Sequence, residues 1–354
     1  TAARTACEDT HVRHVQSEAL LDLRGECLER HRHELGAAVR LLARADPAML
    51  ANAVQVVHGL PWIAACEDLE AVASERRLPS DPEQRATLTQ GTAELGEARL
   101  LELSGRYAEA ATLAERAHDR AEALADEPLR AAADLRLGSI AASRGDHGTS
   151  RRLLLRGIQT AEGARQDELA ADGWIRLLWV AGVELEDTEQ GDIWVGFARA
   201  ALRRLGDDPL REAELVHNLG GLYYRRGRWS EALEHYQRAL EVQRARLGEE
   251  APDVARTLNH IANVLLMSGE PRRSLGYSQR SLELRRELLG PQHPLVAASL
   301  NNVASAHLQL HAWDDARRAI DESLAITEGS RLAEETVARE LQARLAKEEP
   351  RRGR

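Results

Sequence analysis

Apolar residues recur at three- and four-residue steps along nearly the whole chain, a pattern that predicts helices. From Glu8 to about Ala45 the positions Val12, Val15, Ala19, Leu23, Cys27, Leu35, Val39 and Leu42 trace one stripe, predicting a long amphipathic helix. Asp46-Pro47 supplies an N-cap and a first-turn proline for a second helix ending near Gly59. Pro61 opens a third, through Trp62, Ile63, Cys66 and Leu69. The stretch Leu78-Pro79-Ser80-Asp81-Pro82 reads as a linker and repeats the cap-plus-proline start. Residues 1–78 are therefore expected to form a separate N-terminal helical cap.

Beyond the linker one pattern returns. It reads Asn218-Leu-Gly-Gly-Leu-Tyr-Tyr-Arg-Arg-Gly227-Arg-Trp229, then Asn259-His-Ile-Ala-Asn-Val-Leu-Leu-Met-Ser-Gly269-Glu-Pro271, then Asn301-Asn-Val-Ala-Ser-Ala-His-Leu-Gln-Leu-His311-Ala-Trp313. The turn positions Gly227, Gly269 and His311 lie 42 residues apart in both intervals. Earlier turns fall at Gly105 and Gly145, and the gap to Gly227 leaves room for a degenerate one near Glu186-Asp187-Thr188. A fixed period of helix, turn and helix marks a helical solenoid. The expected fold is thus all-α, a right-handed α-solenoid of about six helix-turn-helix repeats over 79–345, with 346–354 a disordered tail. The third repeat lacks the turn glycine and carries Trp174, Trp179 and Trp194, expected to fill core, the alternative being an aromatic pocket.

Composition agrees. Ala and Leu dominate a hydrophobic content of 43%, aromatics are only 3%, and both leading residues favour helix. Net charge is −10, with 47 basic and 57 acidic residues intermixed, which suits solvated helix faces and argues against a nucleic-acid footprint. No apolar run is long enough to span a bilayer. Thr1 in place of Met predicts a fragment or a processed form.

The repeats resemble the tetratricopeptide repeat, and more narrowly the 42-residue version of kinesin light chains. The narrower likeness rests on Leu289-Gly-Pro-Gln-His293-Pro294-Leu-Val-Ala297 and, more weakly, Leu247-Gly-Glu-Glu-Ala-Pro252-Asp-Val-Ala255. It is strong over 210–328 and loose over 130–205. The segments Ala6-Cys7-Glu-Asp-Thr-His-Val-Arg13, Gln16-Ser-Glu-Ala-Leu-Leu-Asp-Leu-Arg24 and Cys27-Leu-Glu-Arg30 resemble a region of myxobacterial serine/threonine kinases that follows the kinase domain and a membrane span. This likeness implies the sensor or docking half of such a kinase. It would place the chain outside the inner membrane, whereas a free-standing scaffold or co-chaperone would be cytoplasmic. Outside the membrane, Cys27 and Cys66 are the expected disulfide pair; in the cytosol all three cysteines are buried thiols. A third reading is the ligand-sensing half of a transcriptional regulator or signalling ATPase.

In such arrays the first helix of each pair faces the ligand groove, and the resemblance implies an extended peptide or protein partner. Asn218, His260 and Asn302 form one equivalent row, His217, Asn259 and Asn301 the next, and Asn263 and Ser305 stand a helical turn on. Asn is a mediocre helix residue, so its repetition mid-helix needs a reason. A carboxamide matches the donor and acceptor of a peptide unit, and Tyr224 and Arg225 add a ring and a cation. The alternative is that these side chains bond to the neighbouring repeat and stabilise stacking. No lysine stands where a carboxylate-clamp repeat would carry one, so recognition of a free C-terminus is not expected.

Other chemistry has little footing. Cys7/His11 and Cys27/His31 are i,i+4 pairs able to face a metal, but about 30 Å of continuous helix would separate them. No metal and no cofactor are therefore expected. His33-Glu34 lacks the second histidine of a zinc-protease motif, Ala37 standing there instead. The sequence contains no nucleophile elbow, phosphate loop or kinase loop, and no catalytic residues are expected.

Overall fold

The computed structural model describes residues 2–45, 47–60, 66–67, 79–206, 208–328 and 333–348. All regular structure among the described residues is helical. Two compact units emerge, Thr1–Leu169 and Ala170–Arg354. Asp46 and most of the expected third helix lie outside the described residues.

In the first unit the expected long N-terminal helix is broken. Helix α1 (Ala2–His11) ends, His14 takes φ 53°, and α2 (Glu18–Leu42) begins behind an N-cap in which Ser17 accepts from the Leu20 amide. Gln16 stitches the break, donating to the Ala6 carbonyl and Thr10 Oγ1 while its Oε1 accepts from buried Arg24. The stripe read from sequence is only partly the buried face. Val12, Val15, Leu35 and Val39 are exposed, whereas Arg24, Cys27, Ala37, Ala38 and Leu41 face inward. Helix α3 (Pro47–His58) follows. Both α2 and α3 pack on α4 (Pro82–Leu103), so the cap and the first repeat share one core around Leu41, Val56, Leu100 and Leu101.

From α4 onward helices come in pairs. Asp81 caps α4, followed by Pro82, and Asp126 caps α6 (Glu127–Ser143) the same way. Helices α5 (Tyr107–Leu124) and α7 (His147–Gly163) complete the first two pairs. Each pair buries an acid of its first helix under arginines of its second. Glu94 takes Arg116 and Arg120, and Asp134, forty residues on, takes Arg156.

The second unit holds the rest. Helix α8 (Asp167–Leu177) runs into a π-helical turn over Leu178–Glu184 and pairs with α9 (Gly191–Leu205). Then come α10 (Pro209–Arg225) with α11 (Trp229–Leu247), α12 (Pro252–Met267) with α13 (Pro271–Leu289), and α14 (Pro294–Gln309) with α15 (Trp313–Thr327). Helix α16 (Ala333–Glu348) closes the end by laying Leu341 and Leu345 on the core of the last pair. It extends to Glu348, into the segment expected to be tail.

The period is written in the backbone. Gly105, Gly145, Glu186, Gly227, Gly269 and His311 all take left-handed φ, of 83, 78, 57, 69, 76 and 57°. The degenerate turn read at Glu186 is therefore a true repeat turn without its glycine, and His311 is another. This is the tetratricopeptide-like arrangement of helix pairs.

Candidate binding face

Three first helices of the second unit, α10, α12 and α14, carry every residue singled out as a groove candidate. Their surroundings divide those residues into two sets.

His217, Asn218, Asn259 and Asn301 are buried, and each bonds to a neighbouring repeat or to the closing helix. Asn218 Nδ2 donates to the Ile175 carbonyl at 2.9 Å. Asn301 Nδ2 donates to the Glu334 carbonyl on α16 at 3.0 Å, and its Oδ1 accepts from Ser323. Asn259 Oδ1 accepts from Asn302 Nδ2 at 3.0 Å and from Ser299 Oγ at 3.4 Å. His217 Nδ1 meets Thr257 Oγ1 at 2.9 Å, and that hydroxyl donates to Gln243 Oε1. The Thr257 proton being spent on Gln243, His217 must be the donor, with its proton on Nδ1. The structure places these four side chains, expected as part of a ladder for a ligand backbone, inside the array and bonded within it. They are shut from solvent, and the helical cost of the Asn residues is offset by bonds between repeats.

A register of 42 residues links these networks. Gln243, Thr257 and His217 recur one period later as Arg285, Ser299 and Asn259. Arg285, buried on α13, donates to Ser299 Oγ and to the Leu295 carbonyl. Burial lowers its pKa to about 10, with Arg256 adding to the effect.

The remaining candidates face outward. His260, Asn263, Asn302, Ser305 and Tyr224 are half-buried and Arg225 is exposed. Asn302 is partly engaged with Asn259, and Ser305 Oγ donates to its own helix at Asn301 O. Arg225 pairs with Glu186 across the repeat turns. The Asn263 carboxamide makes no hydrogen bond among the described residues. Its equivalents one period before and after are Gly221 and Ser305, both small.

Sequence reasoning missed Tyr236 and offered an aromatic pocket at Trp179 only as the alternative to core filling. Trp179, expected to fill core, is half-buried and reaches across α10, its ring centroid 5.6 Å from that of His260. Tyr236 comes from the second helix of its pair to stack on His260 at 5.4 Å and meet His217 at 4.9 Å. It can do so because Gly220 and Gly221 carry no side chains. A Cβ at Gly220 would stand 3.1 Å from the Tyr236 ring, and one at Gly221 3.0 Å from Val183 and 3.2 Å from Trp179. The Gly-Gly pair was the available signal. Trp194 is core, as expected, and Trp174 stacks on Phe197 at 4.8 Å.

Both imidazoles in this cluster are neutral at physiological pH. Burial, aided by Arg256 and Arg285, drives His260 down to about 3, and burial holds His217 well below the ordinary range. Tyr236, by the same cause, is raised. The face thus offers the half-buried rings of Trp179, His260 and Tyr224, the Asn263 carboxamide and the Ser305 hydroxyl, with Arg225, paired to Glu186, the charged group among the candidates. It suits the apolar side chains and backbone amides of an extended chain.

Comparison with known proteins agrees on architecture. A family model described as tetratricopeptide repeat matches residues 211–277 and 262–329. No protein of curated function matches the sequence. Among solved structures, a Rap protein complexed with competence and sporulation factor aligns with TM-score 0.55 and 12% identity, covering 93% of this chain and 97% of that one. The Rap conjugation gene regulator of plasmid pLS20, in complex with the Phr* peptide, gives 0.53 and 15%, with coverages of 92% and 96%. A signal transduction ATPase with a tetratricopeptide repeat sensor, PH0952 from Pyrococcus horikoshii, gives 0.53 and 14%. There the match covers 90% of this chain and 49% of the ATPase, so this chain spans about half of that protein. At these identities the likeness is one of fold. The fold is all-α and built of tetratricopeptide-like helix pairs, with the family match confined to 211–329.

Proposed function

We propose that this chain is a peptide-binding module that holds an extended segment of a partner protein along α8, α10, α12 and α14. The observation that carries the reading is the outward set on that face. Asn263, whose carboxamide makes no hydrogen bond among the described residues, has the small residues Gly221 and Ser305 as its equivalents one period before and after, and lies one helical turn from His260, whose ring meets that of half-buried Trp179. A carboxamide can take one peptide unit as donor and acceptor together, while the rings supply apolar contact. Two proteins of similar fold were solved in complex with the Phr* peptide and with competence and sporulation factor, which supports the same use here. In this reading the groove candidates narrow to Tyr224, Arg225, His260, Asn263, Asn302 and Ser305, with Trp179 added.

Photo-crosslinking tests it. A benzophenone amino acid at position 263 should capture a peptide selected by display, and the same group at exposed Arg238, on α11, the second helix of the preceding pair, should not. Equal capture at both positions contradicts the reading.

The finer placement is that of a sensor or docking half for a serine/threonine kinase signalling protein, supported by the N-terminal motifs between Ala6 and Arg30. The coding sequence upstream of Thr1 decides it. A kinase domain followed by an apolar span of about 20 residues agrees, and a start codon directly before Thr1 contradicts it.

A further inference from the structure

The first unit brings together three metal-ligating side chains that the binding face does not use. Cys27 and His31 lie one turn apart on α2, and Cys66 approaches them from the segment after α3. In this structure Cys27 and Cys66 are joined as a disulfide, with Cα atoms 5.7 Å apart. His31 Nδ1 stands 3.5 Å from Cys66 Sγ and 3.9 Å from Cys27 Sγ. All three donor atoms lie within 4.8 Å of one another. Cys27 and Cys66 are only 3% and 1% exposed, and His31 Nε2 is buried with no hydrogen-bond partner among the described residues.

We propose that Cys27, His31 and Cys66 are a redox-gated zinc site: a disulfide when oxidised, a Cys2His centre when reduced. The distances suit the metal. Zinc bonds of about 2.3 Å to sulfur and 2.0–2.1 Å to nitrogen, at tetrahedral angles, set sulfur and nitrogen about 3.6 Å apart. Both nitrogen–sulfur separations are already close to that value, so rotation of the cysteine side chains to part the two sulfurs completes the geometry. A dithiol or phosphine reductant supplies two electrons to the Cys27–Cys66 bond, and two protons from solvent yield two thiols, the reductant being oxidised in their place. Zinc then displaces both thiol protons and is held by two thiolates. His31 Nδ1 at present lies 2.8 Å from the Cys27 carbonyl. As a ligand it releases that carbonyl, and its proton resides on Nε2. The fourth position falls to water, as in other sites with three protein ligands.

Continuous helix would have set the sequence pairs Cys7/His11 and Cys27/His31 too far apart to share a metal. The structure resolves this differently. Cys7 stays exposed and free, and Cys66 supplies the ligand that a second helical pair was thought to need.

Cobalt titration tests the site. Phosphine-reduced full-length chain, freed of metal by chelation, should bind one equivalent of Co2+, with a sulfur-to-cobalt charge-transfer band and the visible bands of tetrahedral cobalt. Zinc should then displace the cobalt. Oxidised protein should bind none, and Cys7→Ser should bind as wild type does. His31→Ala should lower the affinity by more than about tenfold, a loss typical even of an outer-shell partner, while still forming the disulfide on oxidation. Failure of reduced wild type, folded by circular dichroism, to take up stoichiometric cobalt overturns the proposal. So does His31→Ala binding with unchanged affinity and spectrum.

Discussion

His217 occupies the place that Asn259 and Asn301 take one and two periods later, and the difference has a measurable consequence. Its folded pKa lies well below the unfolded value, as do those of His260, at about 3, and His293, at about 4. The unfolded chain therefore takes up protons below about pH 6.5 that the folded chain refuses. Stability is full above that pH and falls as pH drops through the interval down to 4 and 3. The loss is on the order of 1–2 kcal/mol per histidine between pH 7 and pH 5. Urea unfolding at the two pH values should show it, and His217→Asn should remove one share of the slope. An unchanged slope in that variant would refute the assignment. The turns give a second contrast. Gly269→Ala forces a Cβ into left-handed backbone and should cost about 1–2 kcal/mol. His311→Gly relieves the same strain, less what is lost with the 5.1 Å His311–Trp313 ring contact. It should therefore be close to neutral or stabilising. These turn positions were legible in sequence because glycine marks most of them. The fate of the Asn rows was not, because spacing alone does not tell whether a carboxamide meets a ligand or a neighbouring repeat.

At the scale of the element, α10 explains why its surroundings were misread. A helix with Gly220-Gly221 at its centre looks weak in isolation, yet the missing side chains admit Tyr236 and Trp179. The π-helical turn at Leu178–Glu184 belongs to the same arrangement, carrying Trp179 and Val183 against Gly221. Neither feature has a periodic signature, so the meeting of Tyr236 and Trp179 with His260 was invisible to a reading that relied on period. Gly220→Val should overpack this contact and cost about 1–3 kcal/mol, measured as a lowered urea midpoint. A variant as stable as wild type would show that the Tyr236 packing is loose. The break between α1 and α2 was missed for a related reason. The apolar steps continue through Val12 and Val15, but Ser17 capping and the Gln16 bonds end one helix and start another, leaving both valines exposed.

For the whole molecule, tetratricopeptide-like pairing was legible because a core that each pair shares with its neighbours imposes the same apolar spacing again and again. The closing role of α16 follows from the same physics. Truncation after Glu328 would uncover the buried surface that Leu341 and Leu345 protect, around Leu282, Leu300 and Leu308. The shortened protein should unfold at lower denaturant and aggregate more readily, as arrays without a polar terminal helix do. The proposed function rests on the half-buried side chains of the candidate binding face, the buried ones being bonded within the array. Calorimetric titration of a display-selected peptide into wild type and into Asn263→Arg tests it most directly. Asn263→Arg should weaken binding by about tenfold or more, the scale of a lost central contact of 1.4 kcal/mol or greater, with thermal stability unchanged. Equal affinity in the two proteins would contradict the account.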